Sequence, residues 1–134
     1  MTKRKPIIYI AGSCKSGITQ DLKNKLKQIK PDLVKYIDPA KFEPDRDKYE
    51  EVSKVNDSAI NLCDLMICVL MEQTAGASIE LYINCQILNK PALIATNIPN
   101  YTLTPRIRSL CNEIHNIAQI RDRLIKWIED WYDK

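Results

Sequence analysis

The stretch Leu65–Met71, LMICVLM, decides the fold, because it holds seven consecutive apolar residues and no polar position. A strand with one face in water alternates apolar and polar residues, whereas a strand covered on both faces has an uninterrupted apolar run. Strands of the second kind belong almost always to parallel sheets that carry helices on both faces. The stretch therefore predicts the central strand of an α/β domain.

Strand-like and helix-like segments alternate on both sides of this strand. The predicted strands are Ile7–Ala11, Leu33–Ile37, Leu65–Met71, Ala92–Ala95 and a weak one around Glu113–Ile117. Apolar residues recur at helical spacing over 18–29, 48–62, 75–88 and 119–132. Right-handed crossovers would join these elements into one doubly wound, flavodoxin- or Rossmann-like parallel sheet of about five strands, a single domain over residues 1–134.

Three details of this arrangement follow from the same patterns. The helix over 75–88 should bury Ile79, Ile83 and Ile87. Lys23 should lie on a polar face of the helix over 18–29. The stretch from Asp38 to Asp47, with two prolines and several charges, should form a surface loop.

The composition narrows the class of protein. The chain has 134 residues, of which 45% are hydrophobic, and a net charge of only +3, so bulk electrostatics do not imply a nucleic-acid partner. The five cysteines form no C-x-x-C pair, and the apolar stretch before Gly12 is too short for a membrane span. We expect a cytoplasmic protein with reduced thiols and no membrane partner.

The turn after the first strand has the composition of a phosphate-binding site. Gly12-Ser13-Cys14-Lys15-Ser16-Gly17, here the glycine turn, supplies flexible backbone, two hydroxyls and an ammonium group at the start of a helix. It lacks the Lys-Ser/Thr pair of a Walker A sequence. The turn alone is equally compatible with an ordinary strand-to-helix connection.

The segment after the central strand, Thr74–Glu80 (TAGASIE), offers a carboxylate beside small residues. Thr74 can cap the helix, and Glu80 should lean over Gly76 and Ala77, leaving a hollow wide enough for a sugar ring. The alternative is a solvated helix residue. The apolar neighbours and the position at the carboxyl end of a strand argue for the functional interpretation.

These residues together resemble the nucleoside 2-deoxyribosyltransferase superfamily, including its 2'-deoxynucleoside 5'-phosphate N-hydrolase branch. The likeness lies in IYIAGSCKSG, from Ile8, and in the run from Asp64 through the Gly-x-x-x-Glu spacing of Gly76 and Glu80. It implies that Glu80 attacks the anomeric carbon to give a glycosyl-enzyme, and that Tyr9 orients this nucleophile. Water or a second base would then resolve the intermediate.

The resemblance also implies how a substrate is held. Gly12, Ser13, Lys15, Ser16 and Gly17 resemble the phosphate-binding turn of the hydrolase branch, and Thr74 stands where that branch has a phosphate-binding hydroxyl. The segment LTPRIR, with Thr104, resembles one that reaches into the neighbouring subunit's site. A homodimer with shared sites is implied, with a nucleotide or nucleoside as its small-molecule substrate.

One position departs from the family pattern. The family has an acid/base aspartate eight residues before the position of Asp64, and this chain has Asn56 there. An amide can hydrogen-bond a nucleobase but supplies no proton. Either Asp57 takes the place of that acid or the acid is missing. Hydrolysis of a nucleoside 5'-monophosphate, base exchange between nucleosides, and non-catalytic nucleotide binding all stay open.

The remaining candidates have structural interpretations. His115 is the only histidine, so neither a histidine-rich metal site nor a Cys-His dyad is supported, and we expect no metal and no organic cofactor. Asp64 is interpreted as a structural residue at the start of the central strand.

Overall fold

A computed structural model describes residues 3–12, 17–39, 48–71, 75–97, 104–111 and 113–134. Within these ranges, five parallel strands form one sheet in the order β2-β1-β3-β4-β5. The strands are β1 (Ile7–Gly12), β2 (Lys35–Ile37), β3 (Leu65–Leu70), β4 (Ala92–Thr96) and β5 (Ile114–His115). The predicted α/β class with a parallel sheet is confirmed.

Helices cover both faces of the sheet. They are α1 (Gly17–Leu26), α2 (Tyr49–Leu62), α3 (Ala75–Tyr82), α4 (Pro105–Leu110) and α5 (Ile117–Asp133). α1 and α5 pack on the face that carries Ile8 and Ile10, and α2, α3 and α4 pack on the face that carries Tyr9. Within the described residues, none of these helices is both long and apolar enough to cross a bilayer.

β3 is the central strand, as its sequence predicts. All six of its side chains are buried, with none more than 1% exposed. Each buried aliphatic side chain of this size stabilises the fold by about 1.5–3 kcal/mol. The side chains on the two faces of β3 therefore pack against the two helical layers, one on each side of the sheet.

The predicted helix over 75–88 is wrong in its second half and in its buried face. α3 ends at Tyr82 and continues as a π-helical turn, Ile83–Ile87. Asn84 is fully buried there, and its amide donates to the Lys90 and Pro91 carbonyl oxygens at 3.3 and 3.2 Å. Ile83 is half-buried and packs against the core, as predicted, whereas Ile79 and Ile87 are 58% and 59% exposed. The fully buried positions are residues 77, 81 and 84 instead.

α4 lies where no helix was predicted. Thr104 occupies its N-cap, with Oγ1 accepting from the Ile107 amide at 3.3 Å, and Pro105 is its first residue. A capping hydroxyl followed by proline is a recognised start signal for a helix. α4 has only six residues, which are too few to show a repeating apolar period in the sequence.

Asp64 joins the N-terminal ends of β1 and β3. Its carboxylate accepts from both terminal nitrogens of Arg4 at 2.9 and 2.7 Å and from the Ile7 amide at 2.8 Å. Burial alone would raise the pKa of Asp64, but these hydrogen bonds and the guanidinium charge hold it below its ordinary value. Asp64 therefore lies at the opposite edge from the predicted site, which agrees with its structural interpretation.

The lowered pKa of Asp64 gives a pH dependence of stability. Because the folded-state pKa is below the unfolded one, the stabilisation is present above the unfolded value, about 3.9, and is lost as pH falls through the folded value. Asp64→Asn should reduce the free energy of unfolding at pH 7 by about 1–3 kcal/mol and flatten its decline below about pH 4. Urea unfolding across pH measures both effects.

Asp130→Asn is the matched control, because Asp130 forms an exposed pair with Lys126 at 3.5 Å. It should change stability little. Curves for Asp64→Asn that run parallel to the wild-type curve through the acid range would contradict the assignment.

Candidate active site

The candidate site lies at the carboxyl ends of β1 and β3, here the carboxyl edge. From β1 the chain passes through α1 to β2, which lies on one side of β1 in the sheet. From β3 it passes through α3 to β4, which lies on the opposite side. Strand order therefore reverses between β1 and β3, and ligands of open parallel sheets bind at such a point. The glycine turn begins at this edge with Gly12, and α3, which begins at Ala75, follows β3 along the chain.

Gly12 ends β1 in a conformation and space that only glycine fits. Its φ is +149°, and a Cβ atom there would lie 2.8 Å from the Val69 carbonyl oxygen of β3 and 3.0 Å from Thr19 Cγ2. Backbone atoms cannot yield as a flexible side chain can. The close approach of β1 to β3 at the carboxyl edge therefore depends on Gly12.

Gly17 is different, because a Cβ atom there would meet nothing within 4 Å. It is the first residue of α1 and is exposed. Ser13, Lys15 and Ser16 lie outside the described residues, so their phosphate-binding role stays a prediction. A side chain would therefore clash at Gly12, at the start of the glycine turn, and would be accommodated at Gly17, at its end.

Glu80 lies on α3, which packs against β1 and β3. Its side chain is half-buried, and its Oε2 atom is shielded from solvent. Burial raises the pKa of the Cys68 thiol in β3, and the negative charge of Glu80 raises it further, so the carboxylate lies within electrostatic reach of β3. Ala77, one turn earlier, is 4% exposed. Glu80 is therefore directed toward the sheet.

Tyr9 lies in β1 on the sheet face that α3 covers. It is fully buried, its hydroxyl is shielded from solvent, and it belongs to the same packed cluster as Cys68 and Ala77. Tyr9 and Glu80 thus share one face of the sheet. Gly76 is the second residue of α3, whereas Thr74 lies outside the described residues.

Asn56 and Asp57 point in different directions from α2. Asn56 is half-buried and lies one turn before Ile60, on the face that α2 packs against the sheet, whereas Asp57 is exposed. The Asn56 Oδ1 atom is shielded from solvent and accepts no hydrogen bond from any residue described. A buried oxygen of this kind is one that a ligand N–H or O–H can satisfy.

Lys90 fixes the C-terminal end of α2. Its ammonium donates to the carbonyl oxygens of Ile60, Asn61 and Cys63 at 2.5, 2.8 and 2.8 Å. These are among the carbonyls that a helix end leaves without intrahelical partners, and a cation there also favours the helix dipole. The contact ties the end of α2 to the residues that precede β4.

Thr104 has a local role in the fold as the N-cap of α4. It is exposed, so its predicted contact with a neighbouring subunit's ligand stays a prediction. The hydroxyl that caps the helix already accepts the Ile107 amide.

Lys23 and Asp38 form a buried ion pair near the end of β1 that the sequence does not predict. Lys23 is fully buried and Asp38 is 1% exposed, although one was predicted on a polar helix face and the other in a surface loop. Lys23 Nζ lies 3.1 Å from Asp38 Oδ1 and 3.3 Å from the Gly12 carbonyl oxygen. The available signal was helical phase, since Lys23 follows Thr19 by one turn on the buried face.

The described cysteines are poor nucleophiles. Cys63, Cys68, Cys85 and Cys111 are free, and burial is the main cause that raises the pKa of each thiol, to about 11 for Cys111. They are therefore protonated at neutral pH. Among the residues described, His, Cys, Asp and Glu side chains form no group of three or more that could hold a metal ion.

Solved structures share this doubly wound fold. A 2-desoxiribosyltransferase from Leishmania mexicana is 22% identical with a TM-score of 0.54, covering 69% of this chain and 65% of its own. A fusion carrying amino acids 181–211 of the yeast Spc42 trimeric coiled coil is 14% identical with a TM-score of 0.53, over 98% of this chain and 77% of its own. At these identities the likeness shows the fold alone. Neither a protein-family model nor a curated protein matches the sequence.

The two described glycines of the glycine turn should respond oppositely to alanine. Gly12→Ala should lower the free energy of unfolding by about 1–3 kcal/mol, because Cβ would enter the space of the Val69 carbonyl. Gly17→Ala should leave it unchanged or raise it by up to about 1 kcal/mol, since alanine favours helix. Chemical denaturation of both variants measures these two changes in the free energy of unfolding. Equal stability of the two variants would contradict the predicted difference between Gly12 and Gly17.

Proposed function

We propose that the chain hydrolyses the N-glycosidic bond of a nucleoside 5'-monophosphate, with 2'-deoxyribose as the preferred sugar. The observation that carries this proposal is the Glu80 carboxylate, half-buried on α3 and directed toward the sheet at its switch point. Tyr9 on the same face, and Asn56 on the inward face of α2, support it. The Leishmania mexicana structure with the same fold is a 2-desoxiribosyltransferase.

The proposed chemistry has two steps, as in retaining glycosidases. An oxygen of Glu80 forms a bond to C1' while the C1'–N bond breaks, and the electron pair leaves with the nucleobase. Water then attacks C1', the ester bond to Glu80 breaks, and the proton of the water passes to solvent. Tyr9 orients the carboxylate for the first step.

The 5'-phosphate is proposed to bind at the glycine turn. Ser13, Lys15 and Ser16 offer hydroxyls and an ammonium, and Gly12 and Gly17 allow close approach of the backbone. Thr74, and Thr104 from a second copy in a homodimer, would add hydroxyl donors. The open space beside Gly17 supports this arrangement.

The leaving nucleobase is proposed to meet Asn56 rather than Asp57. Asn56 faces inward with a shielded Oδ1 atom, and Asp57 is exposed. An amide stabilises the departing base by hydrogen bonding alone, so its proton must come from water. This arrangement makes base departure the slow step.

Asn56 also favours a second candidate of another class, a nucleotide-binding protein without turnover. Such a protein would keep the pocket and the carboxylate but lack the acid. A third candidate, transfer of deoxyribose between bases, uses the same glycosyl-enzyme with a free base in place of water.

Replacement of the nucleophile tests the chemistry. Glu80→Gln should reduce base release from a panel of nucleoside 5'-monophosphates by about a thousandfold or more, because the amide forms no glycosyl ester. Chromatography of the released base measures it. Glu129→Gln, an exposed change on α5, is the control and should keep full rate.

The same assay separates the three candidates. Free sugar phosphate without a second base indicates hydrolysis, and a new nucleoside 5'-monophosphate formed after adding a free base indicates transfer. Thermal stabilisation by nucleotides with no base release indicates binding alone. Full turnover by Glu80→Gln would refute the glycosyl-enzyme.

The missing acid can be restored. Asn56→Asp should raise kcat by about tenfold or more, because a positioned general acid contributes about 10²–10⁴-fold. The gain should fade as pH rises and the new carboxyl loses its proton. Asp57→Asn examines the alternative assignment: a loss of kcat in that variant, with no gain in Asn56→Asp, would make Asp57 the acid.

A further inference from the structure

A cavity of about 460 Å³ lies between α1 and α5, here the α1–α5 cleft. Eleven residues line it, drawn from 22–30 on α1 and the turn after it and from 117–125 on α5. These helices cover the face of the sheet opposite Tyr9 and α3. Small-molecule sites in proteins have volumes of about 300–1,000 Å³. The cleft therefore has the size of a small-ligand site, away from the proposed reaction centre.

The floor of the cleft is apolar. Leu22 and Leu26 from α1 and Ile120 from α5 line it, and each is at most 8% exposed and belongs to the core on this face. Ile117, at the start of α5, also lines the cleft but is 39% exposed. Covering apolar surface of this kind is favourable by about 25 cal/mol per Å² removed from water. The cleft therefore suits a ligand with an apolar body.

The rim of the cleft is cationic. Lys25, Lys30 and Arg121 line it and are exposed, and no carboxylate residue is among the lining residues. Among the residues that the structure describes, none of these three cations forms a salt bridge. Positive charge from both helices therefore meets at the cleft without a protein anion to offset it.

Only part of this charge has a local role in the helices. Lys25 lies in the last turn of α1, where a cation interacts favourably with the helix dipole. Arg121 is the fifth residue of α5, and the first turn of α5 contains no acidic residue. The positive end of α5, beside the cleft, therefore adds to the Arg121 charge.

We propose that the α1–α5 cleft binds a small amphipathic anion, with an aliphatic body between the helices and one anionic head group beside Lys25 and Arg121. Charge complementarity selects an anion over a neutral or cationic ligand. The size of the cleft selects a small molecule, because a stable protein interface uses about 20–30 residues on each side and eleven line the cleft. This site is independent of the proposed hydrolysis.

The test titrates the full chain with octanoate and with 1-octanol, which has the same chain length and no charge. Calorimetry should show saturable binding, with a Kd for octanoate about tenfold below that for octanol, the size of two solvent-exposed charge contacts. NMR spectra of ¹⁵N-labelled protein locate the ligand. The amide signals of Lys25, Ala118 and Arg121 should shift with octanoate, and that of Glu80 should not.

Removal of the rim charges tests the head group. The double variant Lys25→Gln/Arg121→Gln should raise Kd for octanoate by about tenfold and leave Kd for octanol within about twofold. The matched control is Lys54→Gln/Lys126→Gln, which removes the same net charge from exposed positions on α2 and α5 outside the cleft. It should leave both constants within about twofold.

Filling the cleft tests the apolar body. Ala118 is exposed and lines the cleft, so a larger side chain there can occupy the cavity without displacing the core. Ala118→Phe should weaken the binding of both octanoate and octanol by about tenfold or more. If this variant does not fold, the double variant and the NMR shifts decide.

Several outcomes would overturn the proposal. Equal Kd values for octanoate and octanol in the wild type would remove the role of the cations, and unsaturable binding or shifts away from the cleft would remove the site. An acidic helical peptide that shifts the same amides and binds more tightly than octanoate would replace the small molecule with a protein partner. A dimer that dissociates in Ala118→Phe, measured by ultracentrifugation, would assign the cleft to a second copy of the chain.

Discussion

The two-sided burial of β3 is the constraint on which the rest of the structure depends. A strand with no polar face must be covered twice, so helices have to lie on both sides of the sheet. β3 pairs in parallel with β1 and β4, and parallel neighbours require crossover connections. The strand order reverses beside β3, which places the ends of β1 and β3 together. The location of the candidate site therefore follows from how the strands pack, independently of its polar residues.

Helix rotation then decides which polar residues reach that site. On α2, one step along the chain separates inward Asn56 from exposed Asp57, because successive helical residues differ by 100°. The packing of Ala59 and Ile60 against the sheet fixes this rotation, and Lys90 holds three carbonyl oxygens at the end of α2. These contacts therefore set whether an amide or a carboxylate faces inward.

The sequence predicts the five strands and most helices because long apolar periodicities report burial directly. It fails where burial involves polar groups. Lys23 and Asp38 have the composition of surface residues, and only the structure shows their buried ion pair. Asn84 is buried in the π-helical turn, where its amide donates to the carbonyl oxygens of Lys90 and Pro91. Ile79 fits a helical period that the structure does not bury. The position of Glu80 could be predicted because it follows the central strand in the sequence. Which of Asn56 and Asp57 faces inward depends on the rotation of α2, which no local sequence pattern specifies.

The Glu80 carboxylate suits one orientation of the proposed substrate better than the other. Glu80 lies on α3, on the face of the sheet that also carries Tyr9, whereas Lys23 is paired with Asp38 at 3.1 Å beside α1 on the other face. A nucleoside 5'-monophosphate carries its negative charge at one end of the sugar and develops positive charge at C1' as the base departs. Binding the phosphate beyond the end of β1 would leave C1' toward the Glu80 carboxylate. The reverse orientation would bring the phosphate toward the Glu80 carboxylate, and like charges repel most where solvent is excluded.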